Sequence, residues 1–180
     1  MRVIGIVQAR MGSTRLPGKV MKKVMGVPLI ELLLDRLKGA KRVSQIVVTT
    51  ANTSENNLLS RHLESLGWRV YRGDEEDVLA RYYEAAVAEK ADAVVRVTGD
   101  CPLIDCEIVD SVVDRYLKSD AQYASNIIPP TFPDGLDVEV FSFSALQRAH
   151  LSAINTFDRE HVTPFIRRDA SQRCVNVEGP

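Results

Sequence analysis

The residues best suited to chemistry lie close together near the start of the chain, in the stretch 8–19 with the sequence QARMGSTRLPGK. Glycines such as Gly12 and Gly18 let backbone N–H groups approach an anion, and successive N–H groups can form a nest that binds it. Arginine and lysine add charge-assisted hydrogen bonds to phosphate oxygens. The stretch combines two glycines, two hydroxyls and three cations. This composition predicts a cradle for a nucleoside triphosphate.

The spacing within this loop differs from the two best-known phosphate-binding motifs. In a Walker P-loop four residues separate the glycines and a hydroxyl residue follows the lysine. Here five residues separate Gly12 from Gly18, and Val20 follows Lys19. The GxGxxG dinucleotide fingerprint is also absent. A solvated basic loop with turn glycines is the alternative interpretation, because such loops are common.

A second candidate is Asp100, in the segment 96–105 with the sequence RVTGDCPLID. It follows an apolar run, and the carboxyl end of a buried parallel strand faces the ligand crevice. Magnesium takes one or two carboxylates together with phosphate oxygens and waters, so Asp100 is the best single metal candidate. The alternative is a turn aspartate that caps local backbone N–H groups. Asp105 is better placed as the N-cap of the next helix, and Cys101 is better explained by packing.

The segment 134–139, with the sequence DGLDVE, carries two carboxylates at strand spacing. Alternation puts Asp137 and Glu139 on one face of a strand and Val138 and Val140 on the other. Two such carboxylates lie ~7 Å apart, which suits a second metal or the hydroxyls of a sugar acceptor. An edge strand with one solvated face explains the same alternation equally well.

The elements that must position these residues alternate between strands and helices. Short apolar runs predict strands over 3–7, 46–50, 69–71, 93–98 and 138–143. Apolar residues at helical spacing predict helices over 28–37, 54–66, 77–90, 105–117, 144–153 and 159–167. Nearly all-apolar strands that alternate with helices are typical of a buried parallel sheet covered on both faces. We therefore predict an α/β domain that binds its ligand at the carboxyl ends of the strands.

Composition excludes several classes of protein. A chain of 180 residues fits one domain, residues 1–180, and 45% hydrophobic with 26% charged residues is the balance of a soluble globular protein. The 23 basic and 24 acidic residues nearly cancel, which argues against a broad cationic face for nucleic acid. No run of about 18 apolar residues exists to cross a membrane. Three cysteines without a CxxC pair and an apolar start too short for a signal peptide indicate a cytoplasmic protein.

Together with four further blocks, the loop resembles the CMP-sugar synthetases, the cytidylyltransferase family that includes CMP-acylneuraminate and CMP-KDO synthetases. It is most similar to the branch named after spore coat polysaccharide biosynthesis protein F. The further blocks are 73–83 (GDEEDVLARYY), 96–105, 130–141 (PTFPDGLDVEVF) and 159–164 (REHVTP). The resemblance spans residues 1 to about 168, and five blocks in the same order make it specific.

The resemblance implies a Rossmann-like nucleotidyltransferase fold with a mostly parallel central sheet and helices on both faces. It implies that the loop binds the phosphates of CTP through Arg10, Ser13, Arg15 and Lys19, beside the backbone of Gly12. Arg15 and Lys19 would stabilise the departing pyrophosphate, and Asp100 would bind the catalytic Mg²⁺. The acidic segment 74–77 would lie near the nucleotide base, and Asp137 and Glu139 at the sugar side of the cleft.

The function implied is transfer of CMP from CTP to a sugar, such as an acidic keto-sugar, with release of pyrophosphate in surface or spore-coat polysaccharide biosynthesis. No protein nucleophile is expected, because positioning and charge neutralisation suffice for transfer to phosphorus. The alternatives are a glycosyltransferase that uses a nucleotide-sugar and a non-catalytic nucleotide-binding module. The resemblance further implies a homodimer, and a C-terminal portion of the family's domain, with a late aspartate in the metal site, that residues 1–180 lack.

Overall fold

The computed structural model of the chain describes residues 1–13, 15–169 and 173–179, which form nine strands and seven α-helices. The strands are β1 (Val3–Gln8), β2 (Lys23–Val24), β3 (Val27–Pro28), β4 (Gln45–Ala51), β5 (Val70–Gly73), β6 (Ala93–Thr98), β7 (Tyr123–Ser125), β8 (Glu139–Ser142) and β9 (Cys174–Asn176). The α-helices are α1 (Leu29–Leu37), α2 (Asn57–Ser65), α3 (Val78–Ala88), α4 (Cys106–Leu117), α5 (Phe143–Ser152), α6 (Thr156–His161) and α7 (Thr163–Arg168). Short 3₁₀ helices cover Lys19–Met21 and Ser54–Asn56.

Seven strands form one sheet in the order β5-β4-β1-β6-β8-β7-β9, and β2 pairs with β3 in a separate hairpin. β1 pairs in parallel with β4 and β6, and β4 pairs in parallel with β5. Apolar residues of α1, α2 and α4 pack on one face of the sheet, and those of α3, α5 and α7 on the other. The predicted fold class, a mostly parallel sheet with helices on both faces, is confirmed. No helix among the described residues is long and apolar enough to cross a bilayer.

The five predicted strands are all present, with ends that differ by at most two residues. The strands that the sequence did not predict are β2, β3, β7 and β9, each two or three residues long. Such short strands carry no readable alternation, because two or three residues do not establish a period. Their positions depend on pairing with distant parts of the chain.

The single helix predicted over 159–167 is wrong, because the chain forms two short helices there. Between them, Val162 has a φ of 68° and a ψ of −57°, the conformation of a strained γ-turn. A β-branched residue rarely adopts a positive φ, so no local pattern predicts the break. The side chain of Asn155 caps α6 by accepting a hydrogen bond from the Asp158 N–H at 2.8 Å, which moves the start of the helix to Thr156.

The edge strand that was the alternative explanation for the alternating carboxylates and valines is not what β8 forms. β8 pairs in antiparallel fashion with β6 on one side and with β7 on the other. Glu139 and Val140, which point to opposite faces, are both buried. The alternation of carboxylate and valine in this segment therefore does not mark a solvated face.

The carboxyl ends of β1 and β6 approach each other closely just beyond their last pair. The Gly99 N–H donates a hydrogen bond to the carbonyl oxygen of Gln8 at 2.7 Å. A Cβ atom at position 99 would lie 2.8 Å from that oxygen and 2.9 Å from the Cβ of Ala9. Glycine is required here by space, and the contact brings the loop after β1 next to Asp100.

Replacing Gly99 by alanine should therefore lower the free energy of unfolding by about 2–3 kcal/mol, because the two backbones must move apart to admit the methyl group. Gly67→Ala is the matched control: Gly67 has a φ of +83° and open space around it, so only the left-handed backbone opposes alanine, at about 1–2 kcal/mol. Urea unfolding of both variants measures the difference. A Gly99→Ala loss smaller than that of Gly67→Ala would contradict the close approach.

Candidate active site

The loop that follows β1 is held at its base by hydrogen bonds. The Gly18 N–H donates to the carbonyl oxygen of Met11 at 2.9 Å, which closes the loop on itself. Gly18 has a φ of 66°, a conformation that favours glycine. The Met11 N–H donates to Oδ1 of Asn56 at 2.9 Å, and Asn56 is buried. The loop thus carries its cationic side chains on an anchored backbone.

Two of the predicted catalytic residues meet beside this loop. Lys19 begins the first 3₁₀ helix, and the next residue, Val20, is buried in the core and anchors the turn. The Nζ atom of Lys19 lies 2.7 Å from Oδ2 of Asp100. Burial acts to raise the pKa of Asp100, but hydrogen bonds with Lys19 and Thr98 and the charge of Lys19 hold it below its usual value. Asp100 is therefore a carboxylate at neutral pH.

These residues line an open cavity of about 380 Å³ at the carboxyl edge of the sheet. Its walls are the loop after β1, the end of β6, the start of α3 and the end of α6. The structure brings together there six of the eight site residues indicated by the sequence: Arg10, Gly12, Ser13, Arg15, Lys19 and Asp100. Thr14 lies outside the described residues.

The other two, Asp137 and Glu139, do not line this cavity. Asp137 is exposed, but partial burial of its carboxyl group raises its pKa, and the charges of nearby carboxylates, Asp100 among them, raise it further. Glu139 is only 3% exposed. Its Oε1 accepts a hydrogen bond from the Tyr123 O–H at 2.6 Å, and its Oε2 forms an ion pair with Arg96. Both oxygens of Glu139 thus have partners inside the protein, and Asp137 is the carboxylate at the surface.

Sequence analysis missed Arg81, a buried arginine of α3 that lines the cavity. Its guanidinium donates to the carbonyl oxygens of Asp74 and Glu75. Burial lowers the pKa of Arg81, and the charge of Arg10 lowers it further. The repulsion between these two cations favours an anion in this part of the cavity. The sequence did contain a signal for a buried arginine: Arg81 comes three residues after Val78, which places both on the buried face of the helix.

Arg96 was missed as well, although it interrupts the otherwise apolar run of β6. On the sheet face that α3 covers, the side chains change from apolar to polar between one residue and the next on that face, toward the carboxyl ends of β1 and β6. Ile6 and Val94 belong to the core, whereas Gln8 and Arg96, two residues further along, line the cavity. The cavity floor is therefore the polar continuation of a core face of the sheet.

The opposite wall is formed by Glu160 and His161 at the end of α6. Arg159 ties this helix to the start of α3, since its Nη2 lies 2.5 Å from Oδ2 of Asp77. Asp77 also caps α3 by accepting a hydrogen bond from the Ala80 N–H. The strained turn at Val162 follows directly. An ion pair and a strained turn thus fix the helix that presents Glu160 and His161.

The carboxylates around the cavity fit a divalent cation that is held mainly by its substrate. The described part of the chain contains no cluster of three or more His, Cys, Asp or Glu side chains arranged to hold a metal. Asp100 supplies an ionised carboxylate, and Asp137 is close enough to be affected by its charge. Mg²⁺ needs only one or two protein carboxylates when phosphates and waters supply the other ligands. The donor set matches that mode of binding.

The pairing of Lys19 with Asp100 predicts a titration change. In Lys19→Gln the pKa of Asp100 should rise, because a hydrogen bond and a positive charge that favour the carboxylate are lost. Carboxyl ¹³C chemical shifts followed by NMR against pH, in metal-free buffer, measure the change. Asp74 is the internal control, because its pKa is lowered mainly by hydrogen bonds from the backbone N–H groups of Asp77 and Glu76. An unchanged Asp100 pKa would show that the pair does not persist in solution.

The chain is similar to known proteins over most of its length. It is 44% identical over 168 residues to an uncharacterised protein of Methanocaldococcus jannaschii, covering 92% of this chain and 67% of that protein. It is 32% identical over 184 aligned positions to the spore coat polysaccharide biosynthesis protein SpsF of Bacillus subtilis, covering 99% and 75%. With the 3-deoxy-manno-octulosonate cytidylyltransferase of Bdellovibrio bacteriovorus it shares 30% identity over 119 residues, covering 65% of this chain and 47% of that enzyme.

A solved structure has the same fold. The cytidylyltransferase from Leptospira borgpetersenii superposes with a TM-score of 0.92 at 33% identity, over 99% of this chain and 76% of that one. The sequence profile of the cytidylyltransferase family matches residues 4–178. The family predicted from the five sequence blocks is thereby confirmed: the chain belongs to the cytidylyltransferases, which are CTP-dependent nucleotidyltransferases.

Proposed function

We propose that this enzyme transfers CMP from CTP to a sugar acceptor and releases pyrophosphate. The observation that carries the proposal is the cavity in which the cations of the glycine-containing loop face Asp100. A hydroxyl oxygen of the sugar attacks the α-phosphate of CTP and releases its proton to solvent, while the bond between the α- and β-phosphates breaks and pyrophosphate leaves. Catalysis of this kind needs positioning and charge neutralisation rather than a protein nucleophile.

The loop residues divide the work along the triphosphate. We assign Arg15 and Lys19 to the outer phosphates that leave as pyrophosphate, and Arg10 to the phosphates nearer the nucleoside. Backbone N–H groups around Gly12 and the hydroxyl of Ser13 add hydrogen bonds to the same oxygens. The repulsion between Arg10 and Arg81 is relieved when a phosphate lies between them. The cavity is thus set up for a polyanion before the substrate arrives.

We assign the metal to Mg²⁺ held by Asp100, since one protein carboxylate suffices when phosphates and waters supply the other ligands. When bound, the ion neutralises negative charge on the phosphates as the leaving group departs. Lys19 holds one oxygen of Asp100 and keeps the group ionised. These two residues therefore orient the carboxylate that the ion requires.

We propose an acidic keto-sugar as the acceptor, used in the synthesis of a surface or spore-coat polysaccharide. The names of the SpsF protein and of the Bdellovibrio enzyme support this class of acceptor and pathway. Asp137, as the surface carboxylate near Asp100, would accept hydrogen bonds from sugar hydroxyls. A neighbouring cavity of about 620 Å³, which includes Arg10 and the acidic segment 74–77, would hold the cytosine side. We also propose, on the resemblance alone, that the protein is a homodimer. Light scattering would test this by measuring its molar mass in solution.

The nucleotide assignment is tested by thermal unfolding with Mg²⁺ and each of CTP, ATP, GTP and UTP. CTP should raise the melting temperature most; at a concentration 100 times its Kd, binding stabilises the fold by about 2.7 kcal/mol. Omission of Mg²⁺ should reduce the effect. If ATP stabilises the protein and CTP does not, the proposal is wrong. If CTP stabilises the protein but acidic sugars cause no release of pyrophosphate, the protein is a non-catalytic nucleotide-binding module instead.

The metal assignment is tested by Asp100→Asn, which keeps the size of the side chain and removes its charge. Mg²⁺-dependent CTP binding should weaken about tenfold or more, and pyrophosphate release should fall further, because the ion neutralises charge most in the transition state. Isothermal titration calorimetry and a pyrophosphate assay measure the two effects.

Asp105→Asn is the matched control for this experiment. Oδ1 of Asp105 accepts hydrogen bonds from the N–H groups of Glu107 and Ile108 at the start of α4, as predicted for an N-cap. Asparagine caps a helix about as well, so stability and activity should barely change. If Asp105→Asn loses its metal dependence and Asp100→Asn does not, the assignment of the metal to Asp100 is wrong and Asp105 is the metal ligand.

A further inference from the structure

The ion pair between Arg96 and Glu139 is a buried charged group to which the proposed reaction gives no role. The two side chains are only 15% and 4% exposed. Among the described residues, Nε of Arg96 has no hydrogen-bond partner. Burial acts to lower the pKa of Arg96, but Glu139 outweighs it and raises the pKa above its usual value. Buried ion pairs are weak contributors to stability, so the presence of this one beside a cavity calls for another explanation.

The position of Arg96 directs it to the acceptor side of the cavity. Within the sheet, Arg96 lies between Ile6 of β1 and Glu139 of β8. The phosphate-binding loop follows β1, so the ion pair with Glu139 draws the guanidinium away from that loop and toward β8. β8 follows Asp137, the surface carboxylate assigned to the sugar. Arg96 therefore reaches the cavity from the side where the acceptor is expected.

A tyrosine holds the ion pair in place from behind. The Tyr123 O–H, on β7, donates to Oε1 of Glu139 at 2.6 Å, while Oε2 pairs with Arg96. Tyr123 is 1% exposed, and its burial together with the charge of Glu139 raises its pKa, so it stays a donor. Three neighbouring strands thus fix the orientation of one guanidinium group, which is how a binding group is preorganised.

We propose that Arg96 is a specificity-determining contact that binds the carboxylate of the sugar acceptor, and that Glu139 and Tyr123 are positioning residues for it. The inference rests on the proposed function and names a residue for its acceptor. A guanidinium group offers only donors, so its ligand must present acceptor oxygens. A planar carboxylate matches it better than a hydroxyl does, because two parallel hydrogen bonds form at once.

The test uses protein saturated with Mg²⁺ and an α,β-methylene analogue of CTP, so that no turnover occurs. The probes are 3-deoxy-manno-octulosonate, N-acetylneuraminate and glucuronate, each compared by calorimetry with its carboxamide. Arg96→Gln should weaken binding of the acid by about 10- to 100-fold and binding of the carboxamide far less. Glu139→Gln should weaken acid binding less than Arg96→Gln does, and Tyr123→Phe should weaken it least. Tyr123→Phe alters no charge, so it should leave the affinity for the CTP analogue unchanged.

Glu89→Gln is the matched control, because Glu89 is also a buried glutamate that bonds a tyrosine and an arginine, together with a second arginine, Arg2. Oε1 of Glu89 accepts hydrogen bonds from the Tyr71 O–H at 2.6 Å and from Nη1 of Arg69 at 2.8 Å. This cluster lines none of the cavities described above, so its loss should lower stability and leave sugar binding unchanged. If Arg96→Gln fails to fold, Arg96→Lys replaces it, since lysine keeps the charge and loses the planar fork.

Three results would overturn the inference. In the first, the wild-type protein binds none of the acids more tightly than the corresponding carboxamide. In the second, the affinities of the Arg96 variants for acid and carboxamide fall by the same factor. In the third, their affinity for the CTP analogue falls as much as their affinity for the sugar. Failure of the proposed function is distinguishable, because wild-type protein would then not bind the CTP analogue. Binding of the analogue without discrimination by Arg96 refutes the inference alone.

Discussion

The close approach of Gly99 to the end of β1 sets the dimensions of the candidate site. β1 and β6 are parallel neighbours, so the segments that follow them leave the same edge of the sheet. The 2.7 Å hydrogen bond from Gly99 to Gln8 brings those segments within side-chain reach of each other. Lys19 can then bond Asp100, and the bond keeps that carboxylate ionised. This backbone contact thus brings Lys19 and Asp100, the charged pair at the edge of the site, within bonding distance.

Charge at the cavity floor is compensated unevenly. Glu139 neutralises Arg96, whereas Arg81 is held by the carbonyl oxygens of Asp74 and Glu75 and keeps its full charge beside Arg10. Within the described part of the chain Arg81 forms no ion pair, although the charges of Asp74 and Asp77 favour its protonated form, and a desolvated cation of this kind is costly. A phosphate group removes that cost, so the electrostatic arrangement is more favourable with a polyanion bound. The neutralised guanidinium of Arg96, in contrast, provides hydrogen-bond geometry with little added attraction for the triphosphate.

Local patterns in the sequence predicted those parts of the site that depend on local structure. The loop of glycines and cations and the N-cap at Asp105 are set by residues adjacent in the chain, and both are where the sequence indicated. Glu139 shows the limit of such reasoning. Its alternation with valine has the same form in an edge strand and in a central one, and only pairing of β8 with both β6 and β7 buries it. The break at Val162 has the same origin, since a β-branched residue adopts a positive φ only where tertiary contacts impose it.

Some of the costs that folding leaves uncompensated lie beside the cavity. Val162 carries backbone strain of about 1–3 kcal/mol. The Nε atoms of Arg81 and Arg96, which have no hydrogen-bond partner among the described residues, each cost about as much. Against a typical domain stability of 5–15 kcal/mol, such costs are tolerable only because the strands behind them are fully buried on both faces. The same strands that carry the polar residues Gln8 and Arg96 carry Ile4, Ile6 and Val94 two to four positions earlier, in the core. The apolar core therefore supports a polar site that would be unstable on its own, and a polyanion bound there would supply partners for its cations.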